Sequence, residues 1–116
     1  MMKVTKTYFM LMVADMDRAV RFYKDAFGLS EVFTSPEWSE LLVGGTTVAL
    51  HGGRKGEPVE TGLGFEVDDL AAAVAAVETA GGSIVKPPEE RPGEPIRLAI
   101  AQDTEGNRFS VAEPTY

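Results

Sequence analysis

Val13-Ala14-Asp15 followed by Ala19-Val20 returns in this chain as Val67-Asp68-Asp69 followed by Ala73-Val74, each matched position 54 residues further on (13 to 67, 19 to 73, 20 to 74). No other feature restricts the fold so tightly. In the first copy the apolar run Thr7 to Val13 reads as a buried strand, and Asp15 then caps a helix whose apolar stripe is Met16, Ala19, Val20, Tyr23, Ala26 and Phe27. Gly28 ends it. Three strands follow at Glu31–Thr34, Glu40–Val43 and Thr47–His51, parted by Pro36 and by Gly44-Gly45. In the second copy Leu63–Val67 is the strand, Asp68 or Asp69 the cap, and Leu70, Ala73, Val74, Val77 and Ala80 the stripe, ended by Gly81-Gly82. Strands at Ser83–Val85, Ile96–Ala101 and Arg108–Ala112 complete it. The pattern predicts an α+β fold of two tandem βαβββ modules, about residues 5–52 and 61–114, stacked into one structure.

Size and charge narrow the functions further. A chain of 116 residues and 12.5 kDa has room for one domain and can bury about two thirds of its unfolded surface, enough for a core without staples. Cysteine is absent, which excludes disulfides, thiolate metal sites and cysteine nucleophiles. Eleven Lys and Arg against 18 Asp and Glu leave a net charge of −7, which disfavours nucleic-acid phosphates and favours a cationic ligand. No apolar run approaches the roughly 20 residues of a membrane span, and Met1-Met2-Lys3 opens no signal-peptide stretch. A cytoplasmic protein without membrane or nucleic-acid partners is expected. Gly52-Gly53-Arg54-Lys55-Gly56 lacks the eight-residue Walker spacing and no helix follows, so it is not read as a phosphate loop. Lys86 to Pro95 carries four prolines in ten residues and reads as a stiff exposed loop, either a linker or a rim over a site.

Four segments, in order, carry a resemblance: Val13-Ala14-Asp15-Met16-Asp17-Arg18-Ala19-Val20-Arg21-Phe22-Tyr23, then Phe27-Gly28-Leu29, then Gly64-Phe65-Glu66-Val67-Asp68-Asp69-Leu70, then Asp103-Thr104-Glu105-Gly106-Asn107-Arg108-Phe109. Together they resemble the vicinal oxygen chelate superfamily, the glyoxalase, bleomycin-resistance and ring-cleaving dioxygenase group. The resemblance implies that each module curls its strands into half of a bowl, giving a curved mixed sheet with the helices on the convex side. Strand alternation then assigns the faces: Phe9, Leu11, Val13, Val48 and Leu50 toward the helix, and Tyr8, Met10, Met12, Thr47, Ala49 and His51 toward the cleft. By the same rule Gly62, Gly64, Glu66, Ser110 and Ala112 point inward in the second module.

Metal-dependent members of that group hold a divalent ion with His and Glu from four strands, and the matching positions here are Tyr8, Ala49, Gly62 and Ser110. None is a usual ligand, and with one histidine in the chain no two-histidine site can be built, so no metal cofactor is expected. The cleft is instead expected to bind a flat or apolar small molecule through Tyr8, Met10, Met12, Trp38, Ala49, His51, Gly62, Gly64, Glu66 and Ser110, with Phe33 and Glu40 nearby. His51 and Glu66 are the candidates for an acid or base. Three functions stay open: a metal-independent binding protein sequestering a drug or metabolite; a lyase, isomerase or dioxygenase-like enzyme on a small oxygenated metabolite; and an assembly module. The resemblance implies a homodimer in each case.

Overall fold

The computed structural model describes all 116 residues. Ten elements follow in order: β1 (Tyr8–Val13), α1 (Met16–Phe27), β2 (Ser30–Thr34), β3 (Trp38–Val43), β4 (Thr46–Gly52), β5 (Val59–Glu66), α2 (Leu70–Thr79), β6 (Ser83–Glu90), β7 (Ile96–Gln102) and β8 (Asn107–Pro114). Each βαβββ module makes its own four-stranded mixed sheet, ordered β1-β4-β3-β2 and β5-β8-β7-β6. In both, the first strand runs parallel to the last and the remaining pairs are antiparallel.

Local chemistry explains the helices. Asp15 and Asp69 are extended N-caps whose carboxylates accept from Arg18 N and Ala72 N, satisfying backbone donors that the first turn leaves free. Of the two candidates for the second cap, Asp69 is therefore the one used. Gly28 stops α1 in the left-handed region at φ 69°, which a side chain resists.

Helix α1 packs on β2, β3 and β4 and also on α2, which itself packs on β6, β7 and β8. That double role corrects the single stripe expected for α1. Phe22 lies off the stripe yet is 1 % exposed, because it faces the second module. A Cβ on Gly82 would stand 2.7 Å from the Phe22 ring and 2.6 Å from the Gln102 carbonyl, so the second module is shaved to hydrogen where that ring enters. Phe22, Tyr23 and Phe27 meet Phe65 and Phe109 in one aromatic cluster, and the 19-residue core runs unbroken through both modules.

Two strands depart most from their sequence-based ranges, the others by no more than two residues at either end. β5 begins at Val59, four residues earlier than expected, with an irregularity between Glu60 and Gly64 where Gly62 takes φ 78°. β6 runs through Pro87 and Pro88 to Glu90, so the expected loop at 86–95 shrinks to its second half. Proline is barred from sheet interiors, but β6 is an edge strand whose register against β7 shifts twice, at Ile84/Lys86 and Lys86/Glu89, and so tolerates residues without an N–H.

The sheet faces turned away from the helices stay uncovered. Tyr8, Met10, Phe33 and Leu42 are all at least 40 % exposed, and the accessible area of 6941 Å² exceeds the roughly 6,000 Å² that scaling gives a chain of this mass. No helix is long and apolar enough to cross a membrane.

Candidate functional site

The register of the first sheet sets three rows of side chains on its helix-free face. Tyr8, Thr47, Leu42 and Ser30 form one row; Met10, Ala49, Glu40 and Phe33 the next; Met12, His51 and Trp38 the third. Phe33 reaches this face because the register shift after Glu31 absorbs Val32 and realigns the strand. Ala49 lies on the floor between Met10 and Glu40 and is fully buried. Tyr8 meets Trp38 edge-on at 5.6 Å between centroids, and Trp38 meets His51 the same way at 6.1 Å.

One carboxylate interrupts this apolar surface. Trp38 Nε1–H donates to Glu40 Oε2 at 2.9 Å, and the Lys6 ammonium donates to Glu40 Oε1. These two hydrogen bonds, the one from Lys6 foremost, hold the Glu40 carboxyl below the usual carboxylate range, so it is an anion at neutral pH. The imidazole of His51 is exposed, and its Nδ1 sits 2.7 Å from the carbonyl of Gly52. A carbonyl only accepts, so Nδ1 carries the proton of the neutral ring and Nε2 keeps a free lone pair.

The remaining candidates sit on the second sheet. Gly64 pairs with Ser110 and Glu66 with Ala112, while Gly62 falls in the irregular stretch. Gly64 cannot carry a side chain without displacing Ser110, whose Oγ lies 2.8 Å from where a Cβ would stand. Glu66 is exposed at the end of β5. Beyond them a cleft of about 260 Å³ is lined by Lys86, Glu89, Arg91, Leu98 and Ile100. Sequence reasoning passed over its apolar floor, although alternation along β7 places Leu98 and Ile100 opposite Ala112 and Ser110. The ten expected site residues thus divide six and four between two sheets that share no ladder. A larger depression of about 540 Å³ lies beside the start of α1, lined by Asp15, Asp17, Thr34 and Ser35 among others, and its Asp15 is engaged as the helix cap.

The four positions that match a metal centre do not fit one. Ala49 and Gly62 carry no donor atom, Tyr8 and Ser110 offer only hydroxyls, and no three His, Asp or Glu side chains gather where an ion could bind.

Two groups that sequence reasoning did not single out hold the modules together. Glu105, in the β7–β8 turn, accepts from the backbone N–H of Ala14 (3.0 Å) and Asp15 (2.9 Å), from the Arg18 guanidinium (2.7 and 3.1 Å) and from the Thr104 hydroxyl (2.7 Å). Asp103 accepts the Tyr23 phenol at 2.6 Å and the backbone N–H of Glu105 and Asn107. Burial first, then the Asp103 charge, pushes the Tyr23 phenol well above its ordinary range, so it remains a donor. A buried tyrosine needs a partner for its hydroxyl, and that was the available signal.

Comparison with known proteins agrees with this architecture. The family model described as glyoxalase/bleomycin resistance protein/dioxygenase superfamily matches residues 7–111. A lactoylglutathione lyase of Haemophilus influenzae is 27 % identical over 125 residues, covering 90 % of this chain and 88 % of its own length. A member of the same superfamily from Sphaerobacter thermophilus superposes with a TM-score of 0.79 at 25 % identity, covering 97 % of this chain and 99 % of that one. The fosfomycin resistance protein FosX from Listeria monocytogenes superposes with a TM-score of 0.81 at 17 % identity over 98 % of this chain and 96 % of its own, a likeness of fold. With a family model spanning nearly the whole of both modules, the chain belongs to the glyoxalase/bleomycin resistance protein/dioxygenase superfamily.

Proposed function

We propose that the chain is a metal-independent binding protein that takes up a flat, largely apolar small molecule on the helix-free face of its first sheet and sequesters it as a drug or metabolite. The supporting observation is that face itself: Tyr8, Trp38, Met10, Phe33 and Leu42 around the single carboxylate of Glu40, with no helix over it and Lys6 reaching in to the carboxylate. In this reading a second copy closes the site, laying its apolar Leu98, Ile100 and Ala112 over the first copy's aromatic rows, so that residues from both sheets reach one ligand. The protein acts in the cytoplasm, as its lack of cysteine suits.

Trp38 is the sole tryptophan, so its fluorescence reports the site directly. Titration with bleomycin and with acridine is expected to quench it saturably, with at least one Kd in the range of about 1–100 µM. Trp38→Phe should weaken binding about tenfold when measured from the ligand's own signal. A response that stays flat with both compounds to about 1 mM counts against the reading.

A second reading, a lyase or isomerase, is favoured by one observation: His51 stands exposed in the third row of the same face, its Nδ1 against the Gly52 carbonyl. The similarity to a lactoylglutathione lyase supplies its assay. Sequestration predicts no turnover of lactoylglutathione by the wild type. Turnover that vanishes in His51→Ala replaces sequestration with catalysis.

A further inference from the structure

The open face of the first sheet bears one carboxylate, Glu40, and that carboxylate is already occupied by a cation from its own chain. Glu40 is on β3 with Ala49 beside it on one neighbouring strand and Phe33 on the other. Its side chain is only 22 % exposed and is aimed by the Trp38 indole N–H. Lys6 comes from outside the fold. It precedes β1, lies in a segment with no helix or strand, and keeps its own side chain 47 % exposed.

We propose that Lys6 is an internal stand-in for the ligand: its ammonium holds the cation subsite formed by Glu40, Trp38 and Tyr8, and the molecule that displaces it is a planar aromatic compound carrying a fixed positive charge. This rests on the binding function proposed above and specifies the chemistry of its ligand.

The exchange is favourable for physical reasons. An ion pair between partly exposed side chains contributes little net stability, because both groups lose hydration and rotamer freedom to make it. Lysine is also the worse occupant: a compact, strongly hydrated charge on a flexible stem. A delocalised aromatic cation is weakly hydrated, gains the same Coulomb attraction, and adds apolar contact with the aromatic side chains exposed on this face. A neutral ring system of equal size gains the contact but cannot replace the ammonium, so it leaves Lys6 in place. Lys6 therefore sets selectivity. It lowers affinity for cations by competition and leaves neutral molecules nearly unaffected, and the overall charge of −7 steers cations to the protein in the first place.

The test uses 10-methylacridinium and acridine, which share one three-ring plane and differ in fixed charge, at mildly alkaline pH where acridine is neutral. Both are titrated into the wild type, Lys6→Gln and Glu40→Gln, following Trp38 fluorescence. Lys6→Gln should tighten methylacridinium about five- to tenfold and shift acridine less than about twofold; Glu40→Gln should weaken methylacridinium about tenfold and abolish the preference between the two. The gain in Lys6→Gln should shrink with added salt. If both probes bind alike in all three proteins, or both tighten equally in Lys6→Gln, charge selection is overturned while the binding function stands. If neither probe saturates any of the three, the planar aromatic cation is overturned as the ligand, and the binding function falls with it only when the bleomycin titration is flat as well.

Discussion

Replacing Glu105 with alanine is expected to destabilise the protein by about 3 kcal/mol and lower its melting temperature by about 12 °C. The side chain is fully buried and is the acceptor for the backbone N–H groups of Ala14 and Asp15 in the turn leading into α1, for the Arg18 fork and for the Thr104 hydroxyl. Truncation leaves those donors unpaired in a site water reaches poorly, and unmet donors cost more than the bond they lose. Arg18→Ala should cost only about 1 kcal/mol, since Arg18 is half exposed and Glu105 keeps its other partners. Burial by itself pushes the Glu105 carboxyl up, but Arg18, Thr104 and the backbone of Asp15 and Ala14 together outweigh it and bring it below the usual range. A carboxyl depressed in the folded state contributes fully above its unfolded value of about 4.3, and loses that contribution as pH falls through the folded value. The stability gap between wild type and Glu105→Gln should accordingly stay constant near neutrality and close in acid. Chemical denaturation at a series of pH values measures it, and a gap that survives strong acid means the charge contributes nothing.

This latch marks the limit of what the sequence alone discloses. Asp15 and Asp69 are legible as caps because a cap acts within three residues, and the buried faces of β1 and β4 are legible because alternation is local. Glu105 is not, because its meaning depends on residues 14 to 18 arriving from 90 positions away along the chain. Phe22 was hidden for a related reason: a helical stripe assumes one neighbour, and α1 has two. The prolines of β6 misled through a rule that holds in sheet interiors and lapses at an edge, and which strand forms the edge is decided by topology. In the candidate site, alternation finds Tyr8, Met10, Ala49 and His51, while the Lys6–Glu40 pair escapes it because Lys6 belongs to no strand.

Phe109→Ala should have the largest effect of all, about 4 kcal/mol and about 15 °C in melting temperature. The ring is 2 % exposed and lies 5.6–6.3 Å from Phe22, Tyr23, Phe27 and Phe65, so three of its four ring neighbours belong to α1 of the other module. Removing it leaves a void bounded by stiff rings on packed elements, which cannot collapse to fill it. Phe109→Leu keeps most of the volume and should cost about 1.5 kcal/mol. The pair also tests whether the modules are stable apart. Module one on its own would expose Phe22, Tyr23 and Phe27, too much apolar surface for about fifty residues to offset, so both modules should unfold in one transition. Trp38 lies on the helix-free face of the first sheet and has no contact with Phe109, which makes its fluorescence an independent witness for module one. In Phe109→Ala the Trp38 transition should fall together with the far-ultraviolet circular dichroism. A Trp38 transition left at the wild-type temperature, while the dichroism melts early, would mean that each sheet carries its own stability and that the shared aromatic core is not what joins them.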